Sequence, residues 1–120
     1  MQFSKISSKS KELLNQLGIL PIYKGYEQLI LAIYYYINRN KEYDVNMNED
    51  IYEKVAEKAD STTMRVERCL RTIFQKNANE IKKYFKVKSK ITNKLALILI
   101  SNEVEELSNG KLLSSQYKQS

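Results

Sequence analysis

The chain contains no histidine, no tryptophan and a single cysteine, Cys69. These absences remove disulfide frameworks, cysteine–histidine zinc sites, serine–histidine and cysteine–histidine catalysis, and haem ligation by histidine. One proline and three glycines are few for 120 residues. A β-sandwich or a loop-dominated fold needs many more turn-forming residues, so helices are favoured. Long apolar runs are missing as well. The longest covers residues 95–100, far short of a bilayer span, and no signal-peptide pattern stands at the N-terminus. The lone thiol fits a reducing compartment, so a cytoplasmic protein without a membrane segment is expected. No glycine-rich phosphate loop, metal-ligand set or nucleophile–base pair is visible. The acids between 42 and 60 have the spacing of neither an EF-hand nor a catalytic carboxylate pair. Neither a cofactor nor an enzymatic activity is expected.

What is present is apolar periodicity and unevenly placed charge. A hydrophobic fraction of 42% against 28% charged residues supports one packed domain. Twenty basic and fourteen acidic side chains give a net charge of +6. Residues 1–41 carry +4, 42–60 carry −5, 61–90 carry +7 and 91–120 are balanced. One segment is thus more basic than the whole protein, which suits a polyanionic partner.

The apolar residues recur at helical spacing. Leu13, Leu14 and Leu17 share one face of a short first helix capped by Ser8 or Ser10, with Gly18 just past its end. Pro21 holds an extended link. Tyr26, Leu29, Ile30, Ile33, Tyr36 and Ile37 form the stripe of a second helix ending near residue 39. Asn48-Glu49-Asp50 reads as the cap of a third, with Ile51, Tyr52, Val55, Ala56 and Ala59 supplying its apolar face. A turn at 60–62 leads into a fourth helix ending near 77. Asn79 caps a short fifth helix with Ile81, Tyr84 and Phe85 as core contacts. Thr92 caps a sixth running to about 107. The expected fold class is therefore all-α: a six-helix, bundle-like domain over residues 10–107, flanked by a flexible segment at 1–9 and a polar tail at 108–120. Tyr34, Tyr35 and Tyr36 diverge around the second helix, so they suit core or interface positions better than a stacking platform.

Residues 51–75 form a helix, a short turn and a second helix, the rhythm of a helix-turn-helix. At about 100° per residue, Val66, Cys69, Leu70, Ile73 and Phe74 fall on one face of the second helix. Met64, Arg68, Arg71, Thr72 and Gln75 fall opposite, with Arg65 and Glu67 on the shoulders. Such side chains suit base-edge reading: arginine forks onto guanine, glutamate accepts from cytosine, glutamine pairs with adenine, and an apolar group touches the thymine methyl. Lys82 and Lys83 are placed to hold phosphates beside the groove. The same face reads equally well as a solvated surface, since Glu67 and Arg71 form an i, i+4 pair useful to any exposed helix.

These residues also resemble a known family. Leu17-Gly18-Ile19 with Pro21, Lys24-Gly25-Tyr26 with Leu29 and Ala32-Ile33, Ile51-Tyr52, Val55-Ala56, Thr62 with Arg65-Val66-Glu67-Arg68 and Arg71, and Thr92-Asn93 together resemble the C-terminal effector domains of the stage-zero sporulation protein A family. The resemblance implies a six-helix domain that binds duplex DNA through a helix-turn-helix, with room for a homodimer on the DNA. It implies base contacts by Glu67 and Arg68, with Arg65 and Arg71 as further DNA contacts. Met64 replaces the usual serine, Gln75-Lys76-Asn77-Ala78 replaces a pattern of small residues and tryptophan, and Ile91 replaces a proline. The family carries an N-terminal receiver domain, and only about nine residues precede the match here. The expectation is a stand-alone, sequence-specific DNA-binding regulator or accessory factor, controlled by abundance, a partner or competition for sites. The alternative is a protein-interaction module that binds or antagonises another regulator without reading DNA.

Val66→Asp is expected to unfold the domain, because it puts an unpaired charge on the apolar face. Loss of the helical far-ultraviolet circular dichroism signal checks this.

Overall fold

A computed structural model of the chain describes residues 1–113 and holds six helices, with no strand among the described residues. They are α1 (Phe3–Gln16), α2 (Tyr26–Asn38), α3 (Glu53–Lys58), α4 (Thr63–Lys76), α5 (Ala78–Phe85) and α6 (Asn93–Ser108). A π-helical turn, Met47–Tyr52, runs directly into α3 and lengthens it. Helices α1, α2 and α6 pack on one another and form a platform; α3 and α4 pack together and rest on it through α2 and α6.

The expected core residues Leu29, Ile33, Ile51, Val55, Val66, Leu70 and Ile73 are all buried. Phe85 is only half-buried, set edge-on to Tyr84, and Ile81 is the α5 side chain that enters the core. The N-terminal segment departs from expectation: residues 3–9 are helical, not frayed. Ile6 is fully buried and extends the Ser10, Leu13, Leu14 stripe by one turn. One isoleucine among serines and lysines is too sparse a signal to read as a helix face. The third helix begins earlier than expected. Asn46, not Asn48, is its cap: the Asn46 side chain accepts from the Glu49 N–H at 2.9 Å, and the Asp50 carboxylate accepts from the Asn46 N–H at 2.8 Å. This reciprocal arrangement satisfies two otherwise unpaired backbone donors. Likewise α5 starts straight after Asn77, so the expected cap, Asn79, lies inside its first turn.

Helix ends are closed by residues of positive φ. Gly18 follows α1 as expected (φ 78°), with Ile19 N–H donating to the Leu14 carbonyl at 2.9 Å. Asp60 (φ 53°) plays the same part between α3 and α4, with Ser61 N–H donating to the Ala56 carbonyl at 2.8 Å. Beyond α6, Gly110 turns the chain so that the Lys111 ammonium donates to Glu103 at 2.7 Å and to Glu106 at 3.0 Å. Glu103 is buried and also accepts from the Tyr84 hydroxyl at 2.9 Å. Those two carboxylates hold the Lys111 ammonium well above the usual lysine range. The start of the expected polar tail is therefore tied to α6, and its residues 114–120 lie outside the described ones.

Gly25 is the tightest point. It caps α2 with φ 87°, and a Cβ built there would lie 2.7 Å from the Cβ of Cys69 on α4. Gly25→Ala combines a left-handed penalty with an overlap, and is expected to lower stability by about 2–4 kcal/mol. Gly110→Ala, where a Cβ meets nothing within 4 Å, costs only the backbone part. Urea denaturation of the two variants side by side checks the difference.

Candidate nucleic-acid interface

Helix α4 starts from a definite cap. The Thr62 hydroxyl accepts from the Arg65 N–H at 3.2 Å, on an extended residue ahead of the first turn. Val66, Leu70, Ile73 and Phe74 are buried and lock the helix to the core. The opposite face is open: Met64 is 67% exposed, and Arg65, Arg68, Arg71, Thr72 and Gln75 are exposed as well.

The two flanks of this face differ. On one flank Lys24, Gln28, Ser61, Arg65, Arg68 and Cys69 line a shallow cleft of about 450 Å³ between the start of α2 and the start of α4. It contains three cations and no acid. On the other flank the side chains are tied together. One Arg71 guanidinium nitrogen donates to both Glu67 carboxylate oxygens, at 2.9 and 3.1 Å. The Asn93 amide, from the first residue of α6, donates to the Glu67 carboxylate at 3.3 Å, the Glu67 carbonyl at 3.2 Å and the Tyr52 hydroxyl at 3.0 Å. Burial raises the Tyr52 hydroxyl above the usual phenol value. Gln75 bridges to the Ile91 carbonyl at 2.8 Å. These groups border a groove between α4 and the start of α6.

Charge follows the same geometry. Of the nine cations between residues 61 and 90, only Arg71 forms an ion pair among the described residues. The other ion pairs draw their cations from elsewhere: Lys9, Lys41, Lys94 and Lys111. Lys76 lies over the Tyr23 ring at 4.8 Å. Arg65 and Arg68 keep their full guanidinium forks for a partner.

The chain matches the family described as Sporulation initiation factor Spo0A C terminal over residues 10–107. It belongs to that family. No curated protein and no solved structure matches it. Membership makes this a DNA-binding regulator domain, in a family of DNA-binding domains rather than enzymes. No helix among the described residues is long and apolar enough to cross a membrane.

Within this domain, the sequence-predicted residues Met64, Arg65, Glu67, Arg68, Arg71, Thr72 and Gln75 share the outward side of α4. Lys82 and Lys83 sit on α5 and line neither the cleft nor the groove. Gln75 is engaged with the Ile91 carbonyl, so its amide is partly committed within the fold. Sequence reasoning missed Lys24, Gln28, Tyr52 and Asn93. Lys24, Tyr52 and Asn93 stood in the motif blocks, but nothing in their spacing along the chain placed them beside the exposed face of α4.

Thr62→Ala removes the α4 cap and is expected to cost about 1 kcal/mol of stability. Chemical denaturation checks it.

Proposed function

We propose that the chain is a sequence-specific duplex-DNA-binding regulator whose α4 enters the major groove. The observation that carries this reading is the concentration of unpaired cations on and beside the exposed face of α4, whose other face is locked into the core. Arg68 and Arg65, near the helix start and free of acidic partners, take the base-reading role, with guanine as the natural target of a fork. Glu67 faces the same groove, and its carboxylate can accept from cytosine. Met64 presents an apolar tip near the N-terminal end. Arg71, Thr72 and Gln75 follow along the same side as further contacts. Lys82 and Lys83 meet flanking phosphates, and Lys24 meets a phosphate at the opposite cleft. The assembly proposed on the DNA is a homodimer.

Affinity for duplex DNA is expected to fall by orders of magnitude between about 50 and 200 mM salt. Binding indifferent to salt would favour a protein-interaction role. Arg68→Ala is expected to cost specific binding about tenfold or more, relax preference at one base pair, and leave Tm nearly unchanged. Lys24→Ala, Lys82→Ala and Lys83→Ala are each expected to weaken all sequences alike. Titration of each variant against the preferred and a scrambled duplex checks the division of roles.

A further inference from the structure

The Asn93 side chain is unusual for its position. Its amide nitrogen is surrounded by three oxygens at 3.0–3.3 Å: the Tyr52 hydroxyl, the Glu67 carbonyl and the Glu67 carboxylate. A carbonyl and a carboxylate on the same nitrogen fix the amide's orientation, because an oxygen there would face two acceptors. The other amide atom, Oδ1, is buried and has no hydrogen-bond partner among the described residues. The unsatisfied buried acceptor is a cost, set against the nitrogen's bonds to Tyr52 and Glu67. The cost falls where, among the described residues, a side chain from outside the helix-turn-helix touches the Glu67 carboxylate and, through it, the Arg71 guanidinium.

We propose that Asn93 is a positioning residue for base selection: its amide, delivered by the first turn of α6, holds the Glu67 carboxylate and with it the Arg71 guanidinium in one orientation toward the groove. This rests on the DNA-reading role given to α4 above. A free glutamate would swing among rotamers and accept from several neighbouring bases. Tethered on two sides, its remaining lone pairs point one way, and the ordering entropy is met within the fold before DNA arrives. Two anchors hold the start of α6 against α4: Asn93 on the Glu67 carbonyl, and Gln75 on the Ile91 carbonyl. The Thr92 hydroxyl, accepting from Leu95 N–H at 3.1 Å, fixes the first turn. Base preference is thereby set partly by a helix that need not touch a base.

The test starts with selection from randomised duplexes by the unmodified chain, then measures the affinity ratio between the preferred site and each single-base-pair variant. Asn93→Ala is expected to reduce that ratio about five- to tenfold at the base pair lost in Glu67→Ala, with affinity for random duplex unchanged. In the Glu67→Ala background the same change is expected to have no further effect on preference, because both act through one carboxylate. Asn93→Asp, nearly equal in size and repelling Glu67, is expected to lower the ratio at least as much, and serves if the alanine variant fails to fold. A selective wild type whose folded Asn93 variants keep the same preference overturns the inference and leaves the DNA-reading role standing. An additive further loss in the Glu67→Ala background also overturns it. A wild-type chain that binds every duplex equally overturns the reading role itself, and this inference with it.

Discussion

The contact between Gly25 and Cys69 sets where the exposed helix stands. Helix α4 is held against the first turn of α2 at a distance that leaves no space for a Cβ, since one built on Gly25 would come within 2.7 Å of Cys69. Two small residues therefore define the spacing of the two helices, and the left-handed backbone at Gly25 turns the chain so that α2 can begin there. Lys24 precedes that glycine, so the same close approach brings a lysine beside Arg65 and Arg68. The pairing of a Lys-Gly-Tyr block with an Arg-Val-Glu-Arg block far along the chain has this physical basis. One block supplies the seat and the other the helix that occupies it.

The exposed face is divided by chemistry. On the α2 side the cations have no acidic partners, which leaves a field and a set of donors suited to phosphates or guanine. On the α6 side Tyr52, Glu67, Arg71 and Asn93 are joined by hydrogen bonds. Exposed ion pairs such as Glu67–Arg71 add little to stability, and this one does not need to. Its effect is order: fewer rotamers for each side chain to lose on binding. An unpaired, cationic flank favours capture of any duplex, and a hydrogen-bonded flank favours discrimination among duplexes.

Much of this was legible in the sequence because local physics decided it. The helical period fixed both faces of α4 from Val66, Leu70, Ile73 and Phe74, and the Thr62 and Thr92 caps are where hydroxyls preceding apolar stripes put them. Gly18 closes α1 as a glycine at that position should. The failures have a different cause. Ile6 belongs to a stripe too sparse to see, and its burial depends on α2 and α6 being present to cover it. Asn46 caps through a reciprocal bond with Asp50, four residues on, which competed with a plausible cap at Asn48. Lys24, Tyr52 and Asn93 join the site only through tertiary packing between elements, which periodicity along one helix cannot report.

The distribution of ion pairs closes the argument about charge. The acidic stretch 42–60 immediately precedes the basic stretch 61–90, and the two would cancel if they faced each other. They do not. Asp44 pairs with Lys94 of α6 at 2.8 Å, whose hydrogen bond holds the Asp44 carboxyl below its usual value. Asp50 turns back onto the Asn46 backbone, and Glu105 of α6 takes Lys41. Each of these contacts is made within 41–50 and α6, and none uses a cation of the basic stretch. An acidic stretch of net charge −5 just ahead of α4 would repel DNA if its carboxylates lay on the binding side. Among the described residues no carboxylate of 42–60 forms an ion pair with a cation of 61–90, which leaves the basic stretch with one internal ion pair and eight cations for a partner. The positive charge left unpaired on α4 and its flanks thus depends on where α6 and the 38–47 connection place their lysines and caps, as well as on the arginines themselves.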